Sequence, residues 1–333
     1  MAARVHSRLA VAALIAACCT FAACAPPLDF ARGDTGAPLD YARGDNGVPV
    51  LGGCQMFPAD NPWNTDISKY PVDPKSSAYL KSMAASTTNL HADFGTNPKW
   101  GIPFVVVPST QPRVRVSFLY SSESDPGPYP IPPNAPIEGG PNATGDRHVL
   151  VLQSGTCKLF EMGGAHPHDG GKRWTAAAGA IFSLSSNALR PDGWTSADAA
   201  GLPMIPGMVK YSEVSAGAID HALRYTAEHT QRGFIHPATH FASNSSDPAL
   251  PPMGLRLRLR ASFDLRPYRG QALVILVALK KYGMFLAQNG SNFYINGTSD
   301  SRWSNADLDQ LKNVPGSAFE AVKTGPVLHV SGP

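Results

Sequence analysis

The stretch GLRLRLRASF, residues 254–263, decides how this chain folds. Leucines at 255, 257 and 259 alternate with arginines at 256, 258 and 260. Side chains on a strand point to opposite faces in turn, so a period of two predicts a strand with its leucines in a core and its arginines on the other side. Downstream, Gln271 to Tyr282 is an apolar run ending in Lys280 and Lys281, with Gly283 placed to cap it, which predicts a helix. Residues 284–288 and 292–296 flank Asn289-Gly290, a hairpin signal. Ser304 or Asn305 starts a last short helix through Lys312.

Upstream, residues 102–107, 113–120, 148–153, 157–162 and 174–184 read as strands, and 76–85 as a short helix. Ser212-Glu213 reads as the start of a helix on which His221, Arg224 and Tyr225 stand three and four apart, sharing a neighbouring face. Gly233 and Pro237 then suggest a turn into a short strand carrying His236 and His240. Strands outnumber helices, and no regular strand–helix–strand alternation occurs. The expected fold is mainly β with peripheral helices, around an antiparallel β-sandwich or jelly-roll-like core.

The 333 residues carry few charges (16%) and are rich in Gly and Pro, 31 of each, which suits a loop-rich exported domain. Arg4 and Arg8 precede a short apolar run, Leu9 to Ala17, too short to span a bilayer. Phe21-Ala-Ala-Cys24 resembles a lipoprotein box with Cys24 as the lipidated residue; Leu14 to Cys18 fits that pattern too, and cleavage at an ordinary Ala-x-Ala-like site is the alternative. The expected organisation is a lipoprotein-type signal peptide (1–23), a flexible spacer with two eleven-residue repeats beginning at Leu28 and Leu39 (24–53), and one β-rich globular domain (54–333). Each repeat contains Arg-Gly-Asp, which a duplicated linker explains without an adhesion role. The protein is thus expected to be exported, either lipid-anchored to the cell envelope or secreted. Cleavage before Cys24 removes two of the charges behind the formal +3, leaving no electrostatic case for nucleic acid. Cys54 and Cys157 are the only thiols beyond the signal region and are expected to pair in an oxidising compartment.

Two long irregular stretches, 121–147 and 187–208, are candidate binding loops. Glu123, Asp125, Glu138 and Asp146 cluster in and beside the first, and Asp198 lies in the second. Paired carboxylates supply the acid and the base or nucleophile of most glycoside hydrolases, and Tyr129, Trp174 and Trp194 are of the type that stacks on sugar rings. A polysaccharide lyase instead needs a His or Tyr base and a cation for the uronate carboxylate, types found in His221, Arg224, Tyr225 and His240. Glu138, Asp146, His221, Arg224 and His240 are therefore the catalytic candidates, with Glu123, Asp125, Tyr129, Trp194, Asp198 and Tyr225 as substrate-binding candidates. His166-Pro-His168-Asp169 is a compact donor set, but further converging ligands cannot be named, so no metal is assigned. There is no phosphate-binding glycine loop or dinucleotide fingerprint, and no cofactor is expected. The expected partner is a polysaccharide or cell-surface glycan. The two classes in play are a glycan-cleaving enzyme and a non-catalytic glycan-binding or structural module.

The motifs NPWNTDIS (61–68), SESDPGPYPIP (122–132), APIEGG (135–140), GDRHVLVL (145–152), GWTSADAAGLP (193–203) and PPMGLRLRL (251–259) resemble a widespread uncharacterised family of secreted, mostly bacterial proteins. The resemblance extends over nearly all of 54–322 and implies export, but supplies no catalytic residue. Members often read Ala-Asp-Asn-Gly where this chain has Ala287-Gln288-Asn289-Gly290, so position 288 is left out of the candidate site.

The paired lipobox-like sequences generate a first test. Replacing both Cys18 and Cys24 by Ser should move the protein from the membrane to the soluble fraction and remove the lipid mass. An unchanged fractionation and mass would rule out the anchor.

Overall fold

A computed structural model describes residues 42–44, 47–97 and 99–330. The signal segment, Cys18, Cys24 and the first repeat lie outside these residues. The chain is mainly β, with several sheets and a few helices. The largest sheet has six strands in the order Phe319–Ala321, Arg256–Leu259, Met284–Asn289, Leu223–Ala227, Tyr294–Asn296 and His91–Asp93. A four-stranded sheet runs Ala178–Ser183, Lys158–Gly163, Val149–Gln153 and Val105–Val107. Both are mixed rather than antiparallel throughout: Leu223–Ala227 runs parallel to Met284–Asn289, Tyr294–Asn296 to His91–Asp93, and Val105–Val107 to Val149–Gln153.

The four-stranded sheet is covered on both faces. Leu150, Leu152 and Leu159 join the main core, while Val149, Val151, Phe160 and Met162 pack in a second cluster with Tyr129, Ile131 and Trp174. Two apolar faces explain why the sequence VLVLQ is buried throughout and shows no polar alternation. Strand Arg256–Leu259 keeps its predicted alternation, yet all four residues are buried. The arginines do not form a free charged face. Arg256 donates to the carbonyls of Pro62, Thr65 and Tyr282 at 2.6–3.1 Å and lies 4.4 Å from the Phe285 ring centroid. Arg258 donates to Ile67 O, Tyr70 O and Glu320. The irregular segment 62–70 covers this face, and the guanidinium groups satisfy carbonyls that no strand partners.

Helix Gly270–Lys281 forms as predicted, and Ser304 caps helix Asn305–Leu308 by accepting the Asp307 N–H. Three other expectations fail for physical reasons. The helix expected from Ser212 stops after Tyr211–Ser215, because Gly217 takes a left-handed backbone (φ 86°), and Arg224 and Tyr225 lie on a strand. The hairpin expected around Asn289-Gly290 is absent: Leu223–Ala227 lies between the two flanking strands and pairs with both. Residues 234–241 make only isolated bridges, at Phe234 to Met253 and Leu328. The folded part also starts upstream of Cys54, since Val48 and Leu51 are buried and Pro49–Leu51 pairs with Cys54–Gln55.

Cys54 and Cys157 are joined as expected, across 103 residues. The bond ties the N-terminal small sheet to the turn that opens strand Lys158–Gly163. On the chain-entropy account, closing a loop of that length stabilises by about 4–5 kcal/mol. The double variant Cys54→Ala with Cys157→Ala should lose a comparable amount, read as a lower urea midpoint with a somewhat steeper slope as the unfolded chain expands; an unchanged midpoint would refute it.

Candidate functional site

The site grows from the alternation of the six-stranded sheet. Arg224 and Thr226 point to one face, and residues paired directly opposite each other share a face. Tyr294 stands opposite Thr226, so it lies on that side, as does Asn296 two residues on. Asn296 is in turn opposite Asp93 on the edge strand, and His91 stacks on Tyr294 with ring centroids 4.6 Å apart. The register between Leu223–Ala227 and Met284–Asn289 slips after Tyr225: Tyr225 faces Leu286, but Thr226 faces Gln288. Ala287 is the extra residue of this bulge, and the bulge turns Gln288 onto the Arg224 face.

A cavity of about 270 Å³ opens on this face. Its sheet side is made by Asp93, Arg224, Thr226, Gln288, Tyr294 and Asn296, and its opposite wall by Glu138, Asp146 and His148. That wall is held by Arg147, whose side chain donates to the carbonyls of Pro141, Ala143 and Ala165 at 2.7–3.0 Å. With Arg147 turned inward, its neighbours Asp146 and His148 face the cavity.

Glu138 and His148 form an ion pair, with His148 Nδ1 2.5 Å from Glu138 Oε2 and the His148 backbone N–H donating to the same oxygen at 3.3 Å. His148 Nε2 lies 3.0 Å from the carbonyl of Ala197, which can only accept. Both ring nitrogens therefore donate, and the ring is an imidazolium. Burial alone pushes the His148 pKa down, but the bond to Glu138 and the Glu138 and Asp146 charges outweigh it and hold it above the ordinary 6.5. Burial likewise pushes Glu138 up, and the bond and charge of His148 reverse this, leaving it below the ordinary 4.5. Asp93 goes the other way. It is exposed at the mouth, yet desolvation by the cavity walls, then the Glu138 and Asp146 charges, raises its pKa.

Arg224 forms the floor. Only 1% of it is exposed, and Nη2 donates to Asp198 Oδ2 at 2.9 Å. Among the described residues its Nε and Nη1 have no hydrogen-bond partner. A buried donor left unpaired costs on the order of 1–3 kcal/mol, more when charged. Below it, burial raises the pKa of Asp198, against the pull of Arg224, and that of Glu161 to about 7, although Met204 and Ile205 N–H groups donate to Glu161.

The structure thus brings together Glu138, Asp146 and Arg224, with Asp198 behind them. It does not bring His221 there. That ring is buried with Glu213 and Lys210, 3.1 Å from the Glu213 carboxylate, because the short helix turns its face to the core. His240 binds the Ala199 carbonyl at 2.8 Å and lies 3.8 Å from Glu123. Glu123, Asp125 and Trp194 collect around Arg190, which pairs with Asp125 and lies 5.6 Å from the Trp194 ring centroid. Tyr129 and Tyr225 are core residues: the Tyr129 hydroxyl donates to Asp125 O, and Tyr225 points away from the cavity face. In the HPHD segment, His168 bonds Thr175 and Asp169 pairs with Arg173. Among the described residues no group of three His, Cys, Asp or Glu is placed to hold a metal. Sequence reasoning missed Asp93 and His148 and set Gln288 aside. The signal for His148 was available: it closes the same irregular loop that Glu138 occupies.

Comparisons with family models, with characterised proteins and with solved structures returned no match.

The opposed shifts of the ion pair set a pH window. Glu138, lowered, stabilises above the ordinary 4.5 and loses this as pH falls; His148, raised, stabilises fully below the ordinary 6.5 and loses this as pH rises through its folded value. The stability lost in His148→Gln should therefore be greatest between about pH 4.5 and 6.5, at around 3 kcal/mol, and shrink on either side. Urea midpoints of both proteins across pH 3.5–9 check this; a difference independent of pH would refute it.

Proposed function

We propose that this protein is an exported enzyme that hydrolyses a glycosidic bond of a polysaccharide. The observation that carries the reading is the meeting, at one cavity, of a carboxyl whose pKa is lowered by an ion pair, Glu138, with one whose pKa is raised by desolvation, Asp93. Glycoside hydrolysis requires that division of roles. Glu138, kept as a carboxylate by His148, would act as base or nucleophile. Asp93 would protonate the departing sugar oxygen, and the Asp146 charge beside it would help keep that proton in place. Elimination would need a base other than His148, such as Tyr294, because both nitrogens of His148 are already donating. On this reading the four- and six-stranded sheets would be the layers of a sandwich or jelly-roll-like core with the pocket at its rim, and a lipid on Cys24 would hold the domain at the cell envelope. The resemblance to secreted bacterial proteins agrees with that placement.

A non-catalytic glycan-binding role is the second reading. It is favoured by Trp100, 54% exposed, whose chain neighbour Lys99 lines a second groove of about 550 Å³ together with Pro133, Pro136 and Trp174.

The test is a panel of polysaccharides read for new reducing ends and for unsaturated uronate absorbance. The expected result is reducing ends without that absorbance, with turnover falling roughly 10²–10⁴-fold in Glu138→Gln and Asp93→Asn while binding persists. Binding without turnover of any polymer would favour the second reading, and unsaturated products would favour a lyase.

A further inference from the structure

Arg224 lines the cavity and is held by one corner of its guanidinium, the Nη2 bond to Asp198; its Nε and Nη1 are buried at that wall and, among the described residues, have no partner. Acceptors are close at hand. The carboxylates of Glu138, Asp146 and Asp93 line the same cavity, yet none bonds to Arg224. Glu138 is turned to His148, and Asp146 meets Gln288 Nε2 at 3.5 Å. A buried cation with two idle donors beside a cavity is a receptor for an acceptor the protein does not itself supply.

The geometry points to Arg224 as the residue that recognises a carboxylate on the sugar, which makes the substrate a polysaccharide containing uronic acid. This rests on the hydrolase reading for the fate of the sugar, but not for its binding. At about 270 Å³ the cavity is small for a ligand site and suits a single ring. Charge sets the orientation of that ring. Asp93 and Asp146 are exposed at the mouth while Arg224 is buried at the floor, so an acidic sugar is repelled at one end and drawn in at the other. Entering carboxylate first, it leaves its ring oxygens near the carboxyls that would act on them. A neutral sugar gains nothing from this gradient and leaves the guanidinium donors unpaired.

The test uses the full-length protein and four small ligands: glucuronate, galacturonate, glucose and galactose. One uronate should bind at least 30-fold more tightly than its neutral counterpart by calorimetry. Chemical reduction of the carboxyl groups of a cleaved polymer should abolish its cleavage. Arg224→Lys keeps a charge for Asp198 but removes the extra N–H groups, and should lower the ratio of uronate to neutral-sugar affinity at least tenfold. If that variant does not fold, the ligand comparison on the wild-type protein decides alone. Equal binding of uronate and neutral sugar overturns the inference, as does cleavage of a neutral polymer by a protein that ignores uronates, though the latter leaves the hydrolase reading standing. Uronate binding without cleavage of any polymer does the reverse.

Discussion

The buried ion pair between Arg224 and Asp198 holds the site together. Asp198 uses one oxygen for the guanidinium and the other to accept from the Ser196 hydroxyl and the Ala200 and Leu202 N–H groups, at 3.0–3.1 Å. One carboxylate thus shapes the 196–202 turn and fastens it to the central strand. That turn then supplies the Ala197 carbonyl to His148, the Ala199 N–H to Gln288 and the Ala199 carbonyl to His240. Breaking such a pair costs about 3–5 kcal/mol, because the surviving charge stays buried. Here it would also release three side chains from their registers.

The pair also divides the pocket by depth. Asp198 accepts from the guanidinium, and the buried Glu161 is close enough to feel its charge. The Glu138–His148 pair occupies the wall, and Asp146 and Asp93 stand at the mouth. Glu138 and Asp93 are shifted in opposite directions, since one meets an ion-pair partner and the other desolvation and like charge.

Local chemistry made much of the fold legible in the sequence. The alternation of 255–260, the apolar run closed by Gly283, the Ser304 cap and the pairing of Cys54 with Cys157 each depend on neighbours in the chain or on a process of elimination. What could not be read depends on residues far away. Arg256 and Arg258 match the pattern of a solvated face, and only the return of segment 62–70 buries them. Leu223–Ala227 is short and follows a helix start, so nothing local marks it as a central strand that splits an apparent hairpin. For the site, the acids of the 121–147 loop and Arg224 could be named by residue type. Asp93 could not, because its place is fixed by strand pairing at the far end of the chain. Gln288 faces the cavity through a register slip, which leaves no mark in the sequence.

The pairing of His91–Asp93 with Tyr294–Asn296 joins the opening part of the domain to its last fifth. Contacts so distant along the chain form late and fold slowly. While the chain is being made from its N-terminus, the strand carrying Asp93 therefore has, among the described residues, no partner strand until Tyr294–Asn296 has emerged. The carboxyl at the mouth, the tyrosine beside it and the arginine at the floor cannot meet in a fragment that ends before Tyr294. Reaching Asn296 is the condition for having this pocket, so a product terminated before that strand would carry the loops and their acids but no assembled site.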